Sequence, residues 1–256
     1  MTHPSRTPVV VVTGASRGIG LAVTKHLLEA YKAKVVTVSR TRSPELQALS
    51  SDSLLSIDCD VTDAAALTKA ISLGVEKFHH LDGLVLNAGT LDPLGTIGNT
   101  TPVDEWKHHF DVNFFSLVTA LKAALPDLRK SEFGGKVVFV SSGAAVKGVA
   151  GWGPYNASKA AMNSLARTLA TEEPNIISVA LRPGMVDTEM QNQLRQRGAE
   201  HMAEDVYKSF VATHSDGKLV NPNDSGRAIA ALSTKAPKSL SGEFITWDSE
   251  QCKALL

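Results

Sequence analysis

Short apolar runs punctuate the chain near 9–13, 34–39, 53–58, 82–87, 135–141, 176–182 and 242–247. Between them lie stretches with a helical pattern, among them Leu21 to Ala30, 104–129 and 154–172. Continuous apolar runs suit strands covered on both faces, and a helix between successive strands is the crossover that a parallel sheet needs. The pattern predicts an α/β fold, a doubly wound parallel sheet of about seven strands with helices on both faces. No linker-like run and no internal repeat interrupts the sequence, so residues 1–256 read as one domain. One segment departs from the strand–helix rhythm. Residues 189–221 are expected to form a lid over a pocket.

The first run, Pro8 to Val12, leads into Thr13-Gly14-Ala15-Ser16-Arg17-Gly18-Ile19-Gly20 and then into the helical stretch from Leu21. Strand, glycine turn and helix, in that order, form the setting in which a dinucleotide is held. Glycines let the backbone turn tightly and approach a pyrophosphate, while the helix N-terminus offers unpaired N–H groups and a positive dipole end. A glycine turn serving packing alone is the competing reading. The second run ends in Ser39-Arg40, and Arg40 lies twenty residues past Gly20. An NAD-selective site carries an acid about 20 residues on, whereas an arginine suits a 2′-phosphate. Arg17 adds a second cation able to make directional phosphate contacts. NADP(H) is therefore the expected cofactor, against the alternative of two solvated surface arginines.

Farther along comes Tyr155-Asn156-Ala157-Ser158-Lys159. On a helix, positions i and i+4 share a face. Of the three tyrosines, only Tyr155 has a lysine four residues on. A free phenol titrates near ~10 and a lysine near ~10.4. An ammonium beside the phenol is expected to pull the tyrosine down toward working pH, where it passes a proton efficiently. Taken by itself the pair equally suits a solvated helix surface.

Taken together, Thr13 to Gly20, Asn87-Ala88-Gly89, Asn113, Ser142, Tyr155 and Lys159 resemble the short-chain dehydrogenase/reductase family, from Val9 to about Trp247. The resemblance implies a Rossmann fold in which Ser142, Tyr155, Lys159 and Asn113 are catalytic. Ser142 rather than Ser141 is selected because the family's serine lies thirteen residues before the tyrosine. Asn113 matches the asparagine that holds a proton-relay water, although a buried hydrogen-bonding asparagine is the plainer alternative. The implied cofactor contacts are Gly14, Ser16, Arg17, Gly18, Ile19, Gly20, Ser39 and Arg40 at the nucleotide end, with Asp60 and Val61 at the adenine. Asn87, Ala88, Gly89, Tyr155 and Lys159 would face the ribose, and Pro183, Gly184, Val186 and Thr188 the nicotinamide. Glu172-Glu173-Pro174, Val186 to Gln191 and Ser241 to Asp248 resemble the fungal sepiapterin reductase/benzil reductase-like branch. That branch implies an NADPH-dependent carbonyl reductase acting on a dicarbonyl compound. A second reading is an NADP-dependent alcohol, steroid or acyl-ketone dehydrogenase. A third, of another class, is a non-catalytic NADP(H)-binding regulator. Trp152, Leu91, Leu94, Met185, Met190, Tyr207 and Phe210 are candidates to line the pocket, and Asp248 is a candidate anchor for a pterin.

Charge then narrows the partners. Lys plus Arg and Asp plus Glu both number 26, so no broad field recruits nucleic acid. Two cysteines, Cys59 and Cys252, make no disulfide framework and suit the cytoplasm. Met1 to Thr7 is polar, and no apolar run reaches membrane length, so neither signal peptide nor membrane association is expected. The pairs His79-His80 and His108-His109 read as solvated helix surface rather than metal ligands, and no metal site is expected. The partners expected are a small-molecule carbonyl substrate and a second copy of the chain. The helices near 104–129 and 154–172 carry more apolar surface than one sheet-facing side needs, notably Phe110, Phe114, Leu117, Leu121, Ala160, Ala161, Leu165 and Leu169. The resemblance implies pairing of two copies through these two helices, so a homodimer, or a tetramer built from it, is expected.

Overall fold

The computed structural model describes residues 6–98 and 101–256. Its strands are β1 (Val9–Thr13), β2 (Lys34–Ser39), β3 (Leu54–Asp58), β4 (Gly83–Leu86), β5 (Lys136–Val140), β6 (Ile177–Arg182) and β7 (Phe244–Thr246). They form one parallel sheet in the order β3-β2-β1-β4-β5-β6-β7. Successive side chains of a strand point to opposite faces, and the core divides accordingly. Val9 and Val11 belong to one apolar cluster, Val10 and Val12 to the other; Val137 and Phe139 divide from Val138 and Val140 in the same way. All five residues of β1 are buried, which is why its sequence shows no polar alternation.

Helices cover both faces. On one lie α1 (Gly18–Glu29) and α9 (Pro222–Lys235), through Val23, Leu27, Ala228 and Ile229. On the other lie α3 (Ala64–Phe78), α5 (Ser116–Leu128) and α6 (Gly153–Glu172), through Leu67, Ile71, Leu117, Leu121, Met162 and Leu169. Two four-residue helices complete the edges, α2 (Pro44–Gln47) and α10 (Glu250–Lys253). At the amino end of the sheet, buried Asp82 accepts from both terminal nitrogens of Arg6 at 2.7 Å, from Val9 N at 2.9 Å and from Ser131 at 2.6 Å.

The helix expected over 104–129 is not continuous. It comprises α4 (Val103–Phe110), a π-helical turn at Asp111–Phe115, and α5. Such a turn widens the helix by one residue and so rotates the positions beyond it. Asn113 lies within it, fully buried. The segment expected as a lid contains α7 (Glu189–Arg197) and α8 (Glu204–Ser215). No residue of α8 is buried, so it rests on the body lightly. No helix among the described residues is long and apolar enough to cross a membrane.

Candidate active site

The strand order reverses between β1 and β4, and a parallel sheet opens a crevice beyond the carboxyl ends of its strands at such a point. Here the two strands are tied together. Thr13 Oγ1 accepts from the N–H groups of Asn87 at 3.0 Å and Ala88 at 3.1 Å. The Asn87 amide in turn donates to the carbonyls of Thr13 and Gly14, both at 3.0 Å. Gly14 takes φ +67°, and a Cβ there would lie 2.8 Å from Ala88 Cα. At Gly20 a Cβ would lie 2.3 Å from the Gly14 carbonyl oxygen, so helix and strand meet this closely only with glycine. Arg17, at the N-cap of α1, makes no side-chain cap bond. The first N–H groups of α1 thus remain available to an anion beside Ser16, Gly18 and Ile19. A cavity of about 510 Å³ runs from Arg17, Gly18 and Lys25 to Thr188, Asn192 and Arg195. These features fit the pyrophosphate of a dinucleotide.

Farther along the crevice, Ser39 donates to the Thr41 carbonyl at 2.9 Å, while Arg40 is exposed. Asp60, next to Val61, accepts from Thr62 N at 2.9 Å and Thr62 Oγ1 at 2.8 Å. The bond from Thr62 N is the largest influence lowering its carboxyl, and Arg40 adds to it. Gly89 faces Asn113, whose Oδ1 would lie 3.3 Å from a Cβ there. Pro183 and Gly184 follow β6, and Val186 forms a parallel bridge to Val220 at the far end of the segment expected as a lid. Thr188 donates to the Val186 carbonyl at 3.2 Å.

The strand β5 delivers the two serines to different tasks. Ser141 donates to Asn163 of α6 at 2.6 Å and is buried, so its hydroxyl is committed to packing. Ser142 accepts from Ala144 N at 3.1 Å, and its own proton is directed to the Tyr155 hydroxyl. Tyr155 and Lys159 lie on the buried face of α6, and Lys159 Nζ donates to the Val140 carbonyl at 2.8 Å. The ammonium stands 5.7 Å from the centre of the Tyr155 ring. The expected fall in the phenol's pKa is not what the structure gives. Burial pushes Tyr155 up, and only the Ser142 hydroxyl draws it back. Burial likewise brings Lys159 down to about 7. Desolvation disfavours the charged form of each group and is the leading influence on both.

Asn113 is committed through its side chain. Its Oδ1 accepts from Thr90 N at 2.8 Å, and its Nδ2 donates to the Thr90 carbonyl at 2.9 Å and to His109 Nε2 at 2.9 Å. His109 corrects the reading of the histidine pairs as surface. His108 is exposed, but His109 is 0% exposed and bonded on both nitrogens. Adjacent helical residues point about 100° apart, so a polar pair in the sequence conceals one inward member.

An apolar cluster adjoins the tyrosine: Leu91, Leu94, Trp152, Tyr155, Leu194 and Met202, with Met190, Tyr207 and Phe210 packed against it. The Trp152 ring stands 5.5 Å from that of Tyr155 and 5.4 Å from that of Phe210 in α8. Six of the seven proposed lining residues thus gather beside Tyr155. Met185 does not; it is 40% exposed and outside the cluster. Asp248 is exposed and bonded to Thr246.

The sequence profile described as short chain dehydrogenase matches residues 8–199. An oxidoreductase of Schizosaccharomyces pombe is 42% identical over 245 residues, covering 94% of this chain and 96% of its own. A benzil reductase ((S)-benzoin forming) of Saccharomyces cerevisiae is 36% identical over 255 residues, covering 95% and 97%. The crystal structure of a short-chain dehydrogenase/reductase from Saccharomyces cerevisiae superposes with a TM-score of 0.93 at 33% identity, covering 97% of this chain and 99% of that one. This chain therefore belongs to the fungal branch of the short-chain dehydrogenase/reductase family, as an oxidoreductase acting on CH–OH and C=O groups.

Proposed function

We propose that the protein is an NADPH-dependent carbonyl reductase whose substrates are dicarbonyl compounds. The observation that carries this reading is the meeting of Ser142, Tyr155 and Lys159 with an aromatic, apolar cluster at one end of the sheet. A nicotinamide cofactor supplies the hydride when bound. The chain's own residues do the rest. Ser142 and Tyr155 present hydroxyl donors to the carbonyl oxygen, whose negative charge grows as the carbon is reduced. A phenol held protonated by burial is the form that a reduction requires, because Tyr155 must give its proton to the new alkoxide. Lys159 is poised between charged and neutral near pH 7, so it can hold ribose hydroxyls and return a proton to Tyr155. Asn113 is the expected link from Lys159 to solvent.

Arg40 and Arg17, both exposed at the crevice, support the preference for a 2′-phosphate. The dicarbonyl class rests on the aromatic cluster and on the relative named as a benzil reductase. A neighbouring carbonyl makes the reacting carbon more electrophilic, and flat aryl substituents match Trp152 and Phe210. Val103 and Phe115, 70% and 54% exposed, flank a surface hollow with Trp106 and Phe110 and support pairing of two copies through α4 and the π-helical turn that follows it. The buried, unpaired thiols of Cys59 and Cys252 suit a cytoplasmic protein.

The test follows NADPH loss with benzil, sepiapterin and a simple ketone side by side. Reduction of benzil at one carbonyl, abolished in Tyr155→Phe with NADPH binding retained, is expected. A specificity constant about tenfold higher for the simple ketone, about 1.4 kcal/mol in the barrier, would transfer the assignment to a general alcohol dehydrogenase. Equal affinity for NADPH and NADH, or no reversal in Arg40→Asp, would remove the cofactor assignment. Sedimentation at the mass of one chain would remove the dimer.

A further inference from the structure

His109 has no part in the chemistry above, yet its ring is fully buried and held on both nitrogens. Its Nδ1 lies 2.6 Å from the Asp92 carbonyl oxygen, and its Nε2 lies 2.9 Å from Asn113 Nδ2 and 3.0 Å from Ser158 Oγ. A carbonyl oxygen only accepts, so Nδ1 carries the proton. The Asn113 amide cannot be reversed, because Thr90 offers an N–H to its oxygen and a C=O to its nitrogen. Nε2 therefore faces a donor and must accept. The ring is neutral, in a single tautomer. Burial, reinforced by the charge of Lys159 and opposed by the Asp92 carbonyl, brings its pKa down to about 4.

We propose that His109 is a positioning residue for the reaction, holding the π-helical turn of Asn113 against the turn of α6 that carries Tyr155. The inference rests on the reading that Tyr155, Lys159 and Asn113 carry the proton chemistry. The Ser158 hydroxyl donates its one proton to the Tyr155 carbonyl at 3.0 Å and accepts, at 3.5 Å, from the same Asn113 amide that serves Nε2, so the amide links the imidazole to the first turns of α6. The His109 ring meets the Tyr155 ring edge-on at 6.2 Å. One imidazole thus joins three segments distant in sequence: the loop at Asp92, the turn at Asn113 and the first turns of α6. The carboxylate of the same Asp92 pairs with Arg197 of α7 at 2.9 Å, which ties that loop to the lid as well. A protonated ring would present a second donor to Asn113 and break the arrangement, and burial prevents this.

The test compares His109→Phe, which keeps a ring and loses both bonds, with His109→Gln, which restores an acceptor toward Asn113. In His109→Phe, kcat with a diketone should fall by about 10–100-fold, the scale of a small misplacement of catalytic groups. KM and the NADPH dissociation constant, the latter from fluorescence titration, should stay within about threefold. The apparent pKa of the kcat profile should move, and His109→Gln should recover most of the loss. Should His109→Phe not fold, His109→Gln and Ser158→Ala carry the test, each lowering kcat by a smaller factor with NADPH binding spared. The inference is overturned if folded variants keep the unmodified kcat and pH profile, or if activity falls only in step with the folded fraction. An unmodified protein that binds NADPH and reduces no carbonyl would overturn the proposed function instead.

Discussion

Replacing Thr13 with valine isolates one hydroxyl that holds the crevice at the switch point. Thr13 is 2% exposed, and its Oγ1 serves Asn87 N at 3.0 Å, Ala88 N at 3.1 Å and the Val85 carbonyl at 3.4 Å. Valine keeps the β-branched shape and the preference for a strand, so the change removes hydrogen bonding and little else. The contact to Val85 is long and contributes little. The two N–H groups decide the outcome. A buried donor left without an acceptor costs about 1–3 kcal/mol. The Ala88 group is buried and the Asn87 group partly so, which gives a loss of about 3 kcal/mol in all. Thr13→Ser keeps the hydroxyl and removes one methyl, costing about 1 kcal/mol. The more apolar substitution should therefore be the worse one, opposite to the order that burial of apolar surface predicts. Urea unfolding gives both values, provided the dependence on urea is unchanged. NADPH affinity should fall in Thr13→Val, because the loop of Asn87, Ala88 and Gly89 loses its anchor. A Thr13→Val loss below about 0.5 kcal/mol, the range of neutral surface changes, or a serine variant worse than the valine one, would refute the reasoning.

Ser142→Ala should lower turnover by about 10²–10³-fold, the cost of one oxyanion donor, with a stability loss of about 1 kcal/mol from the uncapped Ala144 N–H. Ser141→Ala should instead lower stability by about 1–3 kcal/mol by stranding Asn163, and a larger loss of turnover there than in Ser142→Ala would contradict the strand register. Lys159 is pushed down to about 7 by burial, against about 10.4 in an unfolded chain. Between those values only the unfolded state holds the extra proton, so this group makes the protein more stable as pH rises from about 7 to about 10. Lys159→Met should flatten that rise, and parallel stability curves for the two proteins would exclude it. At Asp82 burial works to raise the carboxyl, but hydrogen bonds from Arg6, Ser131 and Val9 N outweigh it and the net shift is downward. Its contribution is complete above the unfolded pKa near ~4 and is lost as pH falls through the lower folded value. Asp82→Asn should therefore cost about 3 kcal/mol near neutrality, the lower end for a buried pair because Arg6 is partly exposed, a deficit that urea midpoints should show shrinking toward about pH 3.

The sheet, its seven strands and the glycine turn were legible because each depends on local pattern. A strand buried on both faces must be apolar throughout, as Val9 to Val12 are, and a close helix–strand approach admits only glycine at Gly20. The family motifs also marked Ser142, Tyr155 and Lys159, which depend on spacing along one strand and one helix. Tertiary structure decided what depends on surroundings. The pKa of Tyr155 is set by how deeply the ring is buried, and the sequence neighbour Lys159 carries no information about that depth. A π-helical turn adds one residue to a helix without leaving a compositional trace, so the break at Asp111–Phe115 stayed hidden. His109 was invisible as a buried residue because its partners, Asp92, Asn113 and Ser158, come from three segments that only the fold brings together. Met185 shares the apolar character of Met190 but lies outside the cluster that Met190 joins. Hydrophobicity states that a side chain prefers to leave water; which cavity receives it is a property of the packed chain.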